Sequence, residues 1–187
     1  MNTLSDMSVG PQERVRSLTA SDADALHAAI SSHRAAFDPW LRWSAAIMDT
    51  RAAEAFIGAA TEREREGRGF HLGIWRGETL LGGVVCWSLD PVHRVAELGY
   101  WLVPDERGHG IAARATRAVM QHLFTQLGVN RIEFQCLVEN GPSRRLAERF
   151  GGQLEGIRRQ AHLVAGTFRD HAVYAALASD GSDNVGP

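Results

Sequence analysis

The feature that most constrains the fold of this chain is a strand that leads through a glycine-spaced turn into a long amphipathic helix. The apolar run of residues 95–103 is stopped by Pro104, and apolar residues at helical spacing follow from residue 110 to residue 127. The turn between these elements has the sequence Arg107-Gly108-His109-Gly110-Ile111-Ala112. Amide groups in the first turn of a helix have no partner within the helix. The segment therefore predicts a binding site for an anion such as a diphosphate.

By itself, the glycine turn allows three interpretations. The first is a plain connection between strand and helix, because short glycine motifs are weak signals. The second is a dinucleotide-binding fingerprint, which Gly108-x-Gly110-x-x-Ala113 matches in its letters. That fingerprint needs an acidic residue at the end of the next strand, whereas Glu133 lies near the start of its strand. The third is a turn for another diphosphate, around which Arg107, Arg114 and Arg117 would add positive charge.

The remaining pattern predicts an α+β domain in which antiparallel hairpins precede and follow one strand–helix–strand crossover. The other predicted strands are residues 15–18, 70–75, 80–87, 131–138, 153–164 and 168–177. The other predicted helices run from Thr19 or Ser21 to about residue 36, from Asp49 or Thr50 to about residue 66, and over 143–150. Small polar residues predict flexible tails at 1–12 and 179–187, which leaves one domain at 13–178.

Composition excludes several classes of protein. A formal net charge of -2 gives no global attraction to nucleic acid, and the absence of a GK[ST] loop disfavours a kinase or NTPase. Cys86 and Cys136 each lie in an apolar run, so we expect buried, reduced thiols. No HExxH spacing or similar ligand pattern predicts a metal site. No apolar stretch approaches the roughly 20 residues needed to span a bilayer, and without a signal sequence we expect a cytoplasmic protein with no membrane partner.

Several motifs in a fixed order resemble the GNAT acetyltransferase superfamily. Arg107, Gly110 and Ala112 fit its Arg/Gln-x-x-Gly-x-Gly/Ala turn for coenzyme A. The chain is most similar to the RimJ/RimL-type ribosomal-protein N-acetyltransferase branch, through residues 39–43 (PWLRW), 97–104 (ELGYWLVP), 139–148 (ENGPSRRLAE) and 169–177 (RDHAVYAAL). The resemblance covers residues 15–177. It implies the GNAT fold, with a mixed, mostly antiparallel sheet whose two central strands splay apart, and acetyl-CoA as co-substrate.

The resemblance also implies a set of residues that bind coenzyme A. The main-chain groups of Leu102 and Val103 would pair with the pantetheine arm, and the side-chain amide of Asn140 would contact it. The pyrophosphate would be held by the amides of the turn, namely Arg107, Gly108, His109, Gly110, Ile111 and Ala112. The side chain of His109 is expected to point to solvent or to the nucleotide. No metal is implied.

For the chemistry, the resemblance implies direct attack of a neutral amine on the thioester. Ser143 matches the serine near the sulfur of coenzyme A, although a hydroxyl in the first turn of a helix is also an ordinary cap. The base is either His162 or Glu97: histidine titrates near neutrality, and a carboxylate on a central strand would have a raised pKa. An ion pair with an arginine is the structural alternative for Glu97. The wall of the acceptor cleft would be formed by Trp40, Trp43 and Tyr100.

The sequence leaves the acceptor open. A protein N-terminal α-amine is the acceptor that gives the branch its name, and a small-molecule amine such as an amino acid or aminoglycoside is the alternative. Arg34 and Arg42, beside the single acidic residue Asp38, would suit an acidic acceptor better than a polycation. A non-catalytic acyl-CoA-binding module and a nucleotide-binding oxidoreductase are the competing classes. An apolar last hairpin favours a homodimer.

Overall fold

A mixed eight-stranded sheet organises the residues that the computed structural model describes, which are 6–164 and 166–180. The strands follow the order β1-β2-β3-β4-β5-β6-β8-β7 across the sheet. Their bounds are β1 Met7–Ser8, β2 Glu13–Ser17, β3 Phe70–Arg76, β4 Thr79–Asp90, β5 Val95–Leu102, β6 Arg131–Leu137, β7 Gln153–Val164 and β8 Thr167–Leu177. Neighbouring strands are antiparallel except β5 and β6. The predicted α+β class is confirmed.

Five α-helices flank the described part of the sheet: α1 Ala23–Ser32, α2 Arg34–Phe37, α3 Thr50–Arg65, α4 Ile111–Thr125 and α5 Gly141–Arg149. The single first helix predicted to reach residue 36 is interrupted at His33. The ring Nδ1 of His33 lies 2.9 Å from the Ala29 carbonyl, the group that a continuing helix would offer to the His33 amide. The predicted cap at Asp49 is confirmed, since its carboxylate accepts the Ala52 amide at 2.7 Å.

Two apolar clusters lie on opposite faces of the sheet. The first cluster joins β5 and β6 to α4 and includes Leu98, Phe134 and Tyr174. The second joins the other face to α1 and α3 and includes Trp101 and Val85. Because side chains alternate along a strand, Glu97 shares the face of Trp101, and Leu98 and Tyr100 share the opposite face. The two faces of the sheet therefore present different chemistry at the same strand.

The central strands separate along their length. Helix α4 connects β5 to the parallel strand β6, as a crossover between parallel strands requires. The two strands pair from Val95 opposite Arg131 to Leu98 opposite Phe134, and no further. Strand β5 continues to Leu102 and β6 continues to Leu137. The ends of β5 and β6 therefore flank a gap in the sheet, as the resemblance implied.

The structure corrects some of the predicted bounds. Met7–Ser8 pair with β2, so the ordered fold begins before residue 13. Strand β4 extends to Asp90 because an irregularity between Cys86 and Ser88 lets it keep pairing with β5. The thiols of Cys86 and Cys136 are free and buried, as expected. Of the tails predicted at 1–12 and 179–187, residues 1–5 and 181–187 lie outside the described residues, as does the hairpin position 165.

Candidate functional site

A cavity of about 1210 Å³ opens where β5 and β6 diverge. The turn before α4, the first turn of α5 and the loop after α2 all border it. The predicted site residues on its wall are Trp40, Trp43, Glu97, Tyr100, Leu102, Arg107, Gly108, Gly110, Ile111, Ala112, Asn140, Ser143 and His162. The cavity thus brings together nearly all of the residues that the sequence singled out.

The turn before α4 has the geometry of an anion site. Gly108 and Gly110 have φ values of 85° and 71°, which favour glycine. Helix α4 has no side-chain cap, and the amides of Ile111, Ala112 and Ala113 find no acceptor among the described residues. They are therefore available to a diphosphate together with the positive end of the helix dipole. Ala113 was not predicted as a binding residue.

One turn amide is not available. The Arg107 amide donates to the Pro104 carbonyl at 3.1 Å, so this part of the prediction is wrong. The Arg107 side chain remains at the cavity, where its Nε donates to the Leu102 carbonyl at 3.3 Å. His109 is exposed, and its Nδ1 lies 3.4 Å from the Glu106 carbonyl. As expected, the His109 side chain stays out of the cavity wall.

Of the three arginines predicted around the turn, Arg107 lines the cavity, whereas Arg114 and Arg117 do not. Arg114 donates to the Val9 and His109 carbonyls and pairs with Glu13. Arg117 donates to the Arg149 carbonyl at 2.8 Å. Arg145 and Arg149 also line the cavity, and they lie one helical turn apart on α5. The four-residue spacing of Arg145 and Arg149, on the predicted helix that begins at Ser143, was visible in the sequence and could have indicated them.

The edge of β5 offers a main-chain partner at Leu102 but not at Val103. The Val103 amide donates to the Leu81 carbonyl at 2.8 Å, on the β4 side, and Val103 does not line the cavity. Consecutive residues of a strand direct their polar groups to opposite sides, so Leu102 directs its own groups toward the gap. The prediction for Val103 is therefore wrong, and of the two residues only Leu102 lines the cavity.

Asn140 and Ser143 form the first turn of α5. The Oδ1 atom of Asn140 caps the helix by accepting the Ser143 amide at 3.1 Å. The side-chain Nδ2 of Asn140 donates to no acceptor among residues 6–164 and 166–180, so it is available to a ligand. Because the cap fixes the first turn, it also fixes where the Ser143 hydroxyl lies.

Tyr100 lies on the side of the sheet that faces α5. Its Oη lies 3.0 Å from the Ser143 carbonyl and 3.1 Å from the Ser143 hydroxyl. Its ring packs edge-on against Phe150. The next residue, Trp101, lies on the opposite face of the sheet, which it shares with Glu97. Strand alternation turns Tyr100 to the face opposite Glu97, and its predicted place in the acceptor cleft stays a prediction.

The opposite side of the gap carries the titratable groups. Burial and the Glu133 carboxylate raise the pKa of Glu97, while Arg158 opposes this effect. No ion pair involves Glu97 in the described part of the chain, so the structural alternative is not supported. His162 stacks on His171 with the ring centroids 4.2 Å apart. Burial, with a smaller contribution from Arg42, lowers the pKa of His162.

His171 was missed by the sequence analysis. Burial, followed by His162 and Arg158, lowers its pKa to about 4, which makes it a neutral imidazole at pH 7. It belongs to β8 and lines the cavity beside His162. A histidine in an apolar strand resembles an ordinary core residue, and only the pairing of β7 with β8 brings the two rings together. This side of the gap therefore holds two imidazoles close to the Glu97 carboxyl group.

Aromatic side chains form the outer wall of this side. Trp43 stacks on Phe56 with centroids 5.0 Å apart and packs edge-on against Trp101. Trp40 is 38% exposed at the rim. Arg34 holds the loop in place by donating to the Ser44 and Ile47 carbonyls, at 3.1 and 2.6 Å. Arg34 is thereby committed to the loop, and Arg42 is the loop arginine on the cavity wall.

Over residues 6–164 and 166–180, no group of three or more His, Cys, Asp or Glu side chains could hold a metal ion. Over the same ranges, every helix is too short or too polar to cross a membrane.

Comparisons with known proteins give the family. Residues 14–153 match the model of the acetyltransferase (GNAT) domain. The chain is 31% identical over 165 residues to the N-acetyltransferase YoaA of Bacillus subtilis, covering 87% of this chain and 92% of YoaA. It is 31% identical over 104 residues to the ribosomal-protein-serine acetyltransferase of Escherichia coli, covering 56% of this chain and 58% of that relative.

The fold is also found among solved structures. RimL, a ribosomal L7/L12 alpha-N-protein acetyltransferase in complex with coenzyme A, superposes with a TM-score of 0.88 at 23% identity, covering 92% of this chain and 97% of that chain. At this identity the likeness shows the fold, and the domain match shows the family. The chain belongs to the GNAT acetyltransferase family, among RimJ/RimL-type relatives, and is an acetyl-CoA-dependent N-acetyltransferase.

Proposed function

We propose that this enzyme transfers the acetyl group of acetyl-CoA to the α-amino group of a polypeptide N-terminus. The observation that supports this proposal is the open sheet face beside the acceptor end of the cavity. Helices α1 and α3 pack over β3 and β4, and the same face of β6 and β7 carries polar side chains such as Glu133, Gln135 and Arg158 that are partly or fully exposed. An extended chain end fits an uncovered face, whereas a small amine is better enclosed by a pocket.

The relatives support the same acceptor class. Two of the proteins that this chain resembles are named for acetylation of a ribosomal-protein serine or of the ribosomal L7/L12 α-amine. An uncovered strand face can also bind a peptide in extended form, so that a few residues beyond the amine contribute to affinity. The N-terminal α-amine has a further advantage as a nucleophile, because its ordinary pKa of about 8 is lower than that of a lysine side chain.

In the proposed mechanism the two substrates meet in the gap between β5 and β6. The amides of Ile111, Ala112 and Ala113 hold the pyrophosphate, and Leu102 and Asn140 hold the pantetheine arm. The amine approaches from the Glu97 side and attacks the thioester carbonyl directly. No covalent intermediate with the protein is required, because holding two substrates in register supplies much of the rate.

For the base we propose Glu97. A general base is most effective when its pKa lies near the working pH, and burial moves the pKa of Glu97 in that direction. The pKa of His162 moves the other way, which weakens it as a proton acceptor. His162 and His171 are then placed to contact the acceptor, with Arg42 at the rim. Ser143, on the far side of the gap, would stabilise the departing thiolate.

An acceptor panel tests the proposal. The enzyme is given acetyl-CoA with a synthetic peptide that has a free N-terminal serine, the same peptide with a formylated N-terminus and one internal lysine, free serine, and kanamycin. Released thiol and product mass are measured. We expect acetylation of the free α-amine and none of the formylated peptide. Turnover on kanamycin or free serine but not on the peptide would instead indicate a small-molecule enzyme, and tight binding of coenzyme A without turnover would indicate a non-catalytic module.

We also propose that two copies associate through the last hairpin. Strand β7 is the sheet edge, and large apolar side chains on this hairpin are exposed, namely Leu154, Ile157, Leu163 and Phe168. Size-exclusion chromatography with light scattering tests this by measuring the mass of the protein and of Phe168→Ser. A monomeric mass that is the same for both would contradict the proposal. A cytoplasmic location and the absence of a nucleic-acid partner stay predictions.

A further inference from the structure

We propose that Tyr100 is a positioning residue that aims the Ser143 hydroxyl at the sulfur of acetyl-CoA, so that Ser143 stabilises the departing thiolate by a hydrogen bond and keeps its own proton. The proposal rests on the proposed function, because it assigns a partner to the serine at that site. It goes further in giving Tyr100 a role and in separating hydrogen bonding from acid catalysis.

The geometry of the pair supports this assignment. The Tyr100 hydroxyl has one proton and two acceptors within reach, the Ser143 carbonyl at 3.0 Å and the Ser143 Oγ at 3.1 Å. With the Tyr100 proton on the Ser143 carbonyl, Ser143 Oγ can donate back to the phenol oxygen. In the reacting complex we place the Tyr100 proton on Oγ instead, so that the Ser143 proton must point elsewhere. Since Ser143 lines the cavity, that proton is left for a ligand atom. A hydroxyl that accepts one hydrogen bond also donates a stronger one.

A protein sulfur also interacts with the Ser143 side chain. Cys136 lies on β6 at the cavity wall and is 8% exposed. Burial raises the pKa of its thiol, and a hydrogen bond with the Ser143 side chain opposes that rise. The Ser143 hydroxyl thus has the phenol of Tyr100 at 3.1 Å and interacts with a protein thiol on the cavity wall. The thioester sulfur of a bound acetyl-CoA would compete for the same proton.

Both members of the pair are held in place. The Ser143 amide is bound to Asn140 Oδ1 at 3.1 Å, which fixes the start of α5. The Tyr100 ring packs against Phe150, with centroids 6.0 Å apart and planes 85° apart. The Ser143 hydroxyl therefore needs only one further contact to fix its rotation. Tyr100 supplies that contact, and a donor oriented before the reaction is worth more than one that must reorient during it.

Acid–base strength argues against full proton transfer from either hydroxyl. A thiol has an ordinary pKa of about 8.5 and a phenol one of about 10, and burial raises the pKa of Tyr100 still further. In the reaction the N–C bond forms, the C–S bond breaks and sulfur keeps the electron pair. One amine proton passes to Glu97 and from there to the thiolate or to solvent. Tyr100 and Ser143 start and end protonated.

A double-mutant cycle tests the proposal. We compare Ser143→Ala, Tyr100→Phe and the double variant in turnover of the serine peptide at saturating acetyl-CoA. We expect Ser143→Ala to lower kcat roughly 100-fold, as for loss of a transition-state donor. Tyr100→Phe should lower kcat roughly tenfold, the upper end of the scale for one hydrogen bond between neutral groups. The double variant should match Ser143→Ala, because Tyr100 acts only through Ser143.

Tyr174→Phe is the matched control. Tyr174 is also a buried tyrosine whose hydroxyl bonds to α5, through Arg144 at 2.9 Å and Glu148 at 3.1 Å, but it does not line the cavity. We expect Tyr174→Phe to lower thermal stability about as much as Tyr100→Phe and to leave kcat within about twofold. An equal loss of kcat in both variants would show that Tyr100 merely supports the helix and would overturn the proposal.

The cycle and a pH profile of kcat separate the possible failures. If Ser143→Ala keeps full activity, the proposed role of Ser143 fails. If Ser143→Ala is slow but the cycle is additive, only the role of Tyr100 fails. A basic limb in the pH profile of kcat that disappears in Tyr100→Phe would mean that Tyr100 titrates as an acid. That result would also overturn the hydrogen-bonding mechanism.

Discussion

The anion site before α4 can be tested with two glycine substitutions that share the same backbone cost. Gly108 and Gly151 have φ values of 85° and 86°, and an added Cβ would meet no protein atom within 4 Å at either position. Gly108 lines the cavity, whereas Gly151 follows the end of α5 and does not. Gly108→Ala therefore tests the binding turn, and Gly151→Ala controls for left-handed backbone strain.

The expected magnitudes follow from these two facts. An alanine in the left-handed region costs roughly 1–2 kcal/mol at either position. In a chain of 187 residues, each kcal/mol lowers Tm by about 2–4 °C, so both variants should lose a few degrees. In Gly108→Ala the added methyl group also keeps a phosphate oxygen away from the turn. The loss of one amide–phosphate hydrogen bond is worth about 1.5–3 kcal/mol. That loss weakens the affinity for coenzyme A by roughly tenfold to 100-fold.

Thermal unfolding and titration calorimetry with coenzyme A measure the two effects separately. The expected result is a similar fall in Tm for both variants and a weakened Kd for Gly108→Ala alone. If Gly108→Ala binds coenzyme A as tightly as the unmodified protein while Gly151→Ala is equally destabilised, the diphosphate does not sit on this turn, and the reasoning from unpaired amides is refuted.

Three other predictions concern the remaining parts of the site. Because the pKa of Glu97 is raised in the folded protein, the protein is most stable to unfolding when this carboxyl is protonated. That stability is lost as the pH rises through the raised pKa, so Glu97→Gln should raise Tm at pH 8 more than at pH 4. The same variant should remove the acidic limb of the kcat/KM profile. Arg149→Ala should weaken coenzyme A binding roughly threefold to tenfold at low salt and less at high salt, while Arg114→Ala should mainly lower Tm. Arg34→Met frees the loop that it pins through two carbonyls, so it should raise the KM of the peptide and leave the Kd of coenzyme A unchanged.

Local sequence was sufficient for several features of the site. The turn at Gly108 and Gly110 needs positive φ values, and glycine is the residue that supplies them. The cap at Asn140 depends on a side chain three residues from the amide that it accepts. The position of Ser143 follows from that cap. Features fixed within one turn of helix or one bend can be predicted without knowledge of the fold.

Other features depend on contacts between distant elements. Val103 and Leu102 look equivalent in sequence, and only pairing with Leu81 on β4 shows which of them faces the gap. Arg114 was expected at the diphosphate, but its guanidinium bonds to the His109 carbonyl of the turn and to Val9 and Glu13, about a hundred residues away. A long charged side chain has many reachable partners, and the choice among them is made by tertiary structure.

The spacing between Glu97 and Tyr100 connects the fold to the proposed chemistry. Residues an odd number apart on a strand point to opposite faces of the sheet, so Glu97 and Tyr100 cannot lie on the same face of β5. Direct attack on a thioester requires the amine and its base on one side of the carbonyl, with stabilisation of the departing sulfur on another. A gap between two splayed strands is open from both faces of the sheet. The odd spacing of Glu97 and Tyr100 therefore places the proposed base on one face and the partner of Ser143 on the other. The separation of β5 from β6 beyond Leu98 and Phe134 is therefore as much a part of the proposed mechanism as the side chains themselves.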